Sequence, residues 1–184
     1  MIRRIIPALA AALFALLFVF APTSEARAEG FELDAGFGWY GQVDDGSDRQ
    51  GFHFVISPGW RFNDLVGVYI DQGLGGLFHK PAHAKRMSWF AGHTVINAKF
   101  FLKAGPGELW GRVGIGAMYE TCDYGDHESW GAFALKLGVG YTVDIWGNIG
   151  IGGNFDYLMG AFSKGDDDWV NHYLDLMLHL RFKF

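Results

Sequence analysis

The sequence predicts an all-β protein, an eight-stranded antiparallel up-and-down transmembrane β-barrel preceded by a cleaved signal peptide. Three observations lead to this prediction. Apolar residues alternate with small or polar residues from position 31 to the end of the chain. The connections between the alternating segments are short and long in turn. The N-terminus has the layout of a secretory signal.

The signal peptide is predicted over residues 1–28, and the barrel domain over residues 29–184. Arg3 and Arg4 form a positive start, residues 5–20 are almost wholly apolar, and Ala26-Arg27-Ala28 is a small-x-small cleavage pattern. An uncleaved membrane anchor is the alternative. The apolar stretch is shorter than the roughly 20 residues of a spanning helix, and a proline interrupts it.

The composition narrows the functional class. Without the four charged residues of the predicted signal, 12 basic and 19 acidic residues remain, a formal charge of −7. Nucleic-acid binding calls for a basic face, so we expect no nucleic-acid partner. A single cysteine, Cys122, excludes a disulfide within the chain. Abundant glycine and aromatic residues without a second long apolar run favour short strands over helices.

Eight segments show the period-two alternation of a strand with two different faces. In the last and clearest one, Leu174, Leu176, Leu178, Leu180, Phe182 and Phe184 oppose Asp175, Met177, His179, Arg181 and Lys183. The segments are 31–40, 52–62, 66–71, 93–102, 112–119, 133–143, 149–157 and 174–184.

Short turns are predicted at 63–64, 103–107 and 144–147, and longer polar loops at 42–50, 74–87, 120–129 and 160–171. Short turns at one rim and longer loops at the other are typical of outer-membrane barrels, and they place both termini at the periplasmic rim. Pro58 lies beside Gly59 inside the second segment, where we expect a bulge or bend.

The apolar faces are predicted to point outward, to lipid. A soluble lipocalin-like barrel with the apolar face inward is the alternative. Eight strands enclose just enough space for side chains, too little for several Phe, Trp, Leu or Ile residues from every strand. Large aromatic residues near segment ends suit interface girdles. They are Trp39, Trp60, Phe62, Trp110, Trp130 and Trp146.

The terminal stretch from Tyr173 to Phe184 alternates apolar residues and ends in phenylalanine. It resembles the closing strand of bacterial outer-membrane barrels, and the whole chain resembles the small barrels of OmpA, OmpX and OmpW type. The resemblance implies an outer-membrane location. It also implies that Leu180, Phe182 and Phe184 carry a signal for the barrel-assembly machinery, and that lipid and lipopolysaccharide surround the protein.

The inward rows supply the candidate functional residues. They contain acids and bases in similar number, which predicts a salt-bridged plug, with a narrow charged channel as the alternative. Many inward glycines leave some room for that channel. The candidate lumen network comprises Glu32, Asp34, Arg61, Asp71, Lys99, Arg112, Lys136, Asp156, Asp175 and Arg181.

The loops and the possible catalytic groups say less about function than the inward rows do. Three loops are acidic, without the spacing of a calcium site, and residues 79–86 are basic and suited to contact loops or lipopolysaccharide phosphates. Lipid A-modifying barrels need a serine, histidine and carboxylate in reach. His93 and Thr94 point to opposite faces, and the His127-Glu128-Ser129 stretch lies in a loop.

We therefore expect a non-enzymatic envelope structural or surface-interaction protein, without catalytic residues, cofactor or metal. The first alternative is a narrow pore for small hydrophilic or ionic solutes. A lipid A-modifying enzyme is the second alternative. The sequence leaves the ligand, the oligomeric state and the role of Cys122 open.

Overall fold

The computed structural model describes residues 30–43, 49–79, 87–122, 128–164 and 167–184. They form eight strands, and among these residues no helix is long and apolar enough to cross a membrane. The strands are β1 (Gly30–Gln42), β2 (Gln50–Arg61), β3 (Val66–His79), β4 (Met87–Ala104), β5 (Gly107–Cys122), β6 (Glu128–Trp146), β7 (Ile149–Lys164) and β8 (Asp167–Lys183).

Each strand pairs antiparallel with its neighbour in sequence, and β1 closes on β8. The closing register runs from Glu32 opposite Lys183 to Gln42 opposite Tyr173. Closure leaves no sheet edge without a partner, which a barrel in hydrocarbon requires. The predicted eight-stranded up-and-down barrel is confirmed.

The rim with the short connections is called the turn end, and the opposite rim the loop end. Gly105 (φ 61°) and Gly147 (φ 26°) lie in two of the turns, where the backbone enters the left-handed region. In the third turn, Asn63 Oδ1 accepts hydrogen bonds from the backbone N–H groups of Leu65 (2.8 Å) and Val66 (2.9 Å). The two glycine conformations and the Asn63 hydrogen bonds allow tight turns between the strands.

The strands are longer at the loop end than predicted. Segment 74–87 was predicted as a loop, yet β3 continues to His79 and β4 begins at Met87. Parts of 120–129 and 160–171 are strand as well. Outside the zone of outward apolar side chains, a strand is held only by its backbone hydrogen bonds. The alternation of side chains therefore does not show where the strand ends.

The expected bulge at Pro58 is not present. Pro58 pairs with Leu33 of β1, and the β2–β3 register is the same at Ile56 opposite Gln72 and at Gly59 opposite Tyr69. The proline therefore interrupts the ladder towards β3 without an inserted residue. A register shift occurs instead in β6, between Asp144 and Trp146.

The two faces differ in the way the alternation predicts. Outward residues such as Phe37 (57% exposed) and Leu178 (74%) are apolar, whereas Asp71, Lys99 and Arg181 inside the barrel are each 0% exposed. Apolar side chains thus cover the outside and charges fill the inside. This arrangement suits lipid and excludes the lipocalin-like alternative.

Two of the predicted girdle residues face the interior instead. Trp110 is buried and donates from Nε1 to Thr142 Oγ1 (3.0 Å), and Trp130 packs against the interior apolar cluster. Both have even residue numbers, like the inward residues Arg112 on β5 and Lys136 on β6. This parity, odd or even, decides which face of a strand a side chain lies on. The other four predicted girdle residues are exposed on the outer face, as expected: Trp39, Trp60, Phe62 and Trp146.

Candidate functional site: the barrel interior

Every residue of the candidate lumen network is buried inside the barrel: Glu32, Asp34, Arg61, Asp71, Lys99, Arg112, Lys136, Asp156, Asp175 and Arg181. Nine of them, together with Glu108, form what we call the ionic layer, which occupies the middle and the turn end. Asp175 lies apart, nearer the loop end, where its Oδ2 is 2.5 Å from His53 Nδ1.

The centre of the ionic layer is built around Asp71 and Asp156. Asp71 Oδ2 accepts hydrogen bonds from Arg112 Nη1 (2.9 Å) and Lys136 Nζ (2.7 Å), and Asp71 Oδ1 accepts one from Ser57 (2.6 Å). Arg112 also binds Asp156 through two nitrogens, with Nε 2.8 Å from Oδ1. A guanidinium that binds a carboxylate twice is fixed in direction as well as position.

A second group of ion pairs closes the turn end around Glu108. Arg61 donates to both carboxylate oxygens of Glu108 (2.9 and 2.7 Å), and Arg181 Nη1 lies 3.1 Å from Glu108 Oε2. Arg181 Nε also binds Asp34 (3.0 Å), which is paired with Lys99. These side chains come from five different strands and cross the lumen.

Aromatic rings cover the remaining faces of these cations. Lys99 Nζ lies 4.3 Å from the centre of the Tyr69 ring and 4.5 Å from that of the Trp110 ring. The Arg61 guanidinium lies 4.0 Å from the centre of the Phe101 ring. Tyr69 itself donates a hydrogen bond to Glu32. The cations therefore have aromatic as well as carboxylate partners.

Side chains fill the space that the inward glycines leave. A Cβ on Gly138 would overlap Asp156 Oδ1, and a Cβ on Gly140 would overlap the Trp110 ring. Between Asp34, Arg112 and His179 lies a cavity of about 10 Å³. Such a volume holds about one water molecule.

Towards the loop end the filling changes character. An apolar layer consists of buried residues from seven strands: Tyr40, Leu77, Ala91, Val95, Met118, Ala134, Leu158, Phe162 and Tyr173. Tyr173 stacks on Tyr40 with ring centres 5.0 Å apart and donates a hydrogen bond to Glu120. Phe162 stacks on Trp169 at 5.5 Å. The interior therefore has two layers of different chemistry.

The sequence prediction left out several polar residues of the interior, among them Glu108, Tyr69 and His53. Glu108 binds two arginines, Tyr69 binds Glu32 and His53 binds Asp175. His53 and Tyr69 were placed on inward rows without a role. Glu108 was not considered, because it directly follows a turn; its even parity, shared with Arg112, would have identified it.

The remaining predicted groups are placed as follows. His93 is buried, whereas Thr94 is exposed and donates to Gln72 Oε1 (2.7 Å) on the outer face, so the two point to opposite sides as predicted. Leu180 and Phe184 are exposed on the outer face at the turn end, and Phe182 is half-buried. His127, the basic loop beyond His79 and most of the acidic loop residues lie outside the described residues, as does the signal segment.

No described group of three or more His, Cys, Asp or Glu side chains is arranged to hold a metal ion. The Asp175–His53 pair has the composition of part of a catalytic triad. Ser57, however, donates to Asp71 rather than to a histidine. The described interior is a network of ion pairs in which each carboxylate of the ionic layer has a cationic partner.

Comparison with solved structures identifies barrels of the same architecture. Neisserial surface protein A superposes with a TM-score of 0.71 at 16% identity, over 84% of this chain and 97% of that one. Ail, the attachment invasion locus protein of Yersinia pestis, solved with the heparin analogue sucrose octasulfate, gives 0.60 at 19% identity, over 85% and 99%. The outer membrane protein OprG from Pseudomonas aeruginosa gives 0.53 at 12% identity, over 86% and 98%.

Among proteins with curated descriptions, none matches the sequence significantly. The match to the family described as outer membrane protein beta-barrel domain, in contrast, extends over residues 10–182. This range includes all eight strands almost to the end of β8. The chain therefore belongs to the outer membrane protein β-barrel domain family and is located in the outer membrane.

Proposed function

We propose that this protein is a closed, non-catalytic barrel that anchors its loops at the outer surface, in an envelope structural or surface-interaction role. In this family the loop end is the extracellular end and the turn end is periplasmic. The observation that carries the proposal is the filled interior. Ion pairs such as Arg112–Asp156 and Arg61–Glu108 cross the lumen, and the apolar layer lies above them.

The same contacts argue against the alternative function, a narrow pore. An ion would have to separate Arg112 from Asp71 and Asp156, all of which are at most 6% exposed. Breaking such a buried pair leaves a charge without its partner, at a cost of roughly 3–5 kcal/mol. The space left by the inward glycines is also occupied by Asp156 and Trp110. A barrel that is filled in this way is expected to be closed to ions in its resting state.

Planar bilayer recording tests closure. We expect no steady single-channel current from the folded wild-type barrel. A variant in which Arg112, Lys136 and Asp71 are all replaced by serine removes the central cross-links and should conduct. Steady wild-type currents that change when Arg112 alone is replaced would overturn the closed-barrel proposal and support the pore.

The proposed surface-interaction role is tested by substitutions in the loops. Lys80, Lys85 and Arg86 are basic groups in an otherwise acidic mature chain, and such groups bind phosphates. We expect the detergent-folded barrel to bind purified lipopolysaccharide, and a Lys80→Ser, Lys85→Ser, Arg86→Ser variant to bind several-fold more weakly. A control variant, Asp44→Ser with Asp45→Ser, should bind at least as well as wild type. Equal binding by all three proteins would contradict a role for the basic loop.

Catalysis is tested with the same lipopolysaccharide. Incubation with the folded barrel should leave the mass of lipid A unchanged. Loss of one acyl chain, abolished by His53→Ala, would show that the protein is a lipid A hydrolase and would overturn the non-catalytic assignment.

A further inference from the structure

A hydrogen-bonded polar pair lies on the outer face of the barrel, between β3 and β4. Thr94 Oγ1 donates to Gln72 Oε1 (2.7 Å), and Gln72 Nε2 donates to the backbone oxygen of His93 (3.3 Å). The Gln72 and Thr94 side chains are both exposed. The even-numbered residues of β3 face outward, and all of them except Gln72 are apolar or glycine. A polar group in a lipid-facing row is costly, so it indicates a function at this position.

The polar pair lies at the depth of the hydrocarbon and away from the lipid headgroups. Gln72 is midway along the outward row of β3, between Val66 near the turn end and Phe78 near the loop end. A strand tilted by about 40° advances about 2.5 Å per residue along the barrel axis, so each of these residues is about 15 Å away from Gln72 in depth. The apolar band of an outer-membrane barrel is about 25 Å tall. Water and headgroups at the two surfaces are therefore out of reach of the Gln72 amide.

The contacts within the barrel use only half of the hydrogen-bonding capacity of the Gln72 amide. An amide nitrogen has two N–H donors, and an amide oxygen accepts two hydrogen bonds. Within the part of the chain that the structure describes, Gln72 Nε2 donates once and Gln72 Oε1 accepts once. One donor and one acceptor of the same group remain for a contact outside the barrel. Lipid tails offer neither, so only another protein surface supplies them at this depth.

The surface beside the amide allows such a contact. Ala117 on β5 lies opposite Thr94, and both side chains are short and exposed. A Cβ on Gly76 would meet a single atom, at 4.0 Å. Ile70 and Ile96 nearby are 47% and 57% exposed and provide apolar area. Small residues beside a polar group let two membrane-spanning surfaces come close enough to hydrogen-bond.

A second copy of this chain has the groups that the Gln72 amide needs. All copies enter the membrane with their loops on the same side, so two copies meet about a two-fold axis along the membrane normal. Residues at equal depth then face each other, and Gln72 faces Gln72 of the second copy. An amide carries a donor and an acceptor side by side, so two amides related by this axis can form two N–H···O bonds with each other.

We propose that the outer face of β3 and β4 is the contact between two copies of the barrel, with their Gln72 amides hydrogen-bonded to each other. Thr94 is a positioning residue, because its hydroxyl fixes the direction of the Gln72 side chain. Lipid tails cover apolar side chains as well as a protein does, so the hydrogen bonds set the strength of the contact. The dimer is therefore reversible, and it presents two sets of loops side by side at the outer surface.

Energy transfer between copies in lipid vesicles tests the dimer. Folded barrels that carry a donor or an acceptor dye on Cys122, the single cysteine of the chain, are mixed and then diluted with lipid. Wild-type transfer should exceed that of random encounters. Gln72→Leu keeps the size of the side chain and removes the amide, so the dissociation constant should rise about tenfold. Wild-type transfer at the level of random encounters, or an unchanged dissociation constant in Gln72→Leu, would overturn the proposal.

Tyr157→Phe is the matched control for the loss of an outward polar group. Tyr157 lies on the outer face of β7, across the barrel from β3, and its hydroxyl pairs with His172. The variant should leave the dissociation constant unchanged. An increase as large as that of Gln72→Leu would show that the effect does not depend on the face of β3 and β4, and the proposal would fail.

Cysteine cross-linking locates the contact while Gln72 is kept. In a Cys122→Ser background, the change Ile70→Cys lies next to Gln72 on the outward row, whereas Phe155→Cys lies on the outer face of β7. Mild oxidation of outer membranes should give a covalent dimer from the first variant and much less from the second. Equal yields, or an adduct of the Ile70→Cys variant with a different protein in place of the dimer, would overturn the proposal.

Discussion

The ionic layer and the apolar layer fill the same barrel with opposite chemistry. In the ionic layer, Arg112 has two carboxylate partners at set distances and directions. In the apolar layer, Leu77 and Leu158 are as deeply buried, but their contacts have no required direction. Charges need particular partners, whereas apolar side chains need only volume. The ionic layer should therefore be less tolerant of substitution, and four variants with their controls test this difference.

The largest effect is expected from Asp71→Asn in the ionic layer. The change keeps the shape of the side chain and removes the charge that binds Arg112 and Lys136. We expect a loss of about 3–5 kcal/mol in the free energy of unfolding, because the two cations then share Asp156. Urea unfolding of the barrel in lipid vesicles, followed by tryptophan fluorescence, measures it.

Ser57→Ala is the control for this variant. It removes only the hydrogen bond that a neutral hydroxyl donates to Asp71, at an expected cost of about 1.5–3 kcal/mol. Similar losses for both variants would mean that the charge of Asp71 contributes little beyond its hydrogen bonds.

Leu77→Ala tests the apolar layer. Leu77 is 0% exposed, so truncation leaves a cavity and should cost about 2–4 kcal/mol. The contrasting Leu178→Ala removes the same atoms from an outward side chain that is 74% exposed, and it should cost about 1 kcal/mol or less. Equal losses in the free energy of unfolding for the two variants would contradict a packed apolar layer.

Tyr173→Phe removes the polar contacts of one hydroxyl within the apolar layer, including the hydrogen bond that it accepts from Asn171 Nδ2 (3.3 Å). Tyr173 donates to Glu120, which also accepts from Asn171 (2.9 Å). Because Glu120 keeps this second partner, we expect a loss of only about 1 kcal/mol. Equilibrium unfolding of a double-mutant cycle with Asn171→Ala measures the coupling, and additive effects would show that the two contacts are independent.

Lys183→Met should have the smallest effect. Lys183 pairs with Asp144 at 2.7 Å, but the two side chains are 27% and 46% exposed at the turn end. An ion pair screened by solvent typically contributes less than about 1 kcal/mol. A loss as large as that of Asp71→Asn would show that exposure does not separate rim pairs from interior pairs. The same unfolding assay applies.

The sequence predicts the fold well because alternation is a geometric consequence of an extended backbone. Parity alone placed Asp34, Lys99 and Arg181 on inward rows, and the structure shows all three inside. Where parity was set aside, the prediction was wrong. Trp110 and Trp130 were assigned to the outer girdle because they lie near segment ends, although their parity is that of inward residues.

The partners inside the barrel could not be predicted. Lys99 on β4 binds Asp34 on β1, and Arg61 on β2 binds Glu108 on β5. These contacts cross the lumen between strands that are not neighbours, so they depend on strand tilt and stagger around the whole barrel. Alternation within a single strand contains no information on either quantity.

The seam between β1 and β8 joins Glu32 to Lys183, nearly the two extremes of the described chain. Contacts that are so distant in sequence form slowly, because a long loop of chain must close first. Ion pairs across this seam, such as Arg181 with Asp34, also have to wait for the last strand. The polypeptide therefore cannot close its barrel until the last strand has been synthesised.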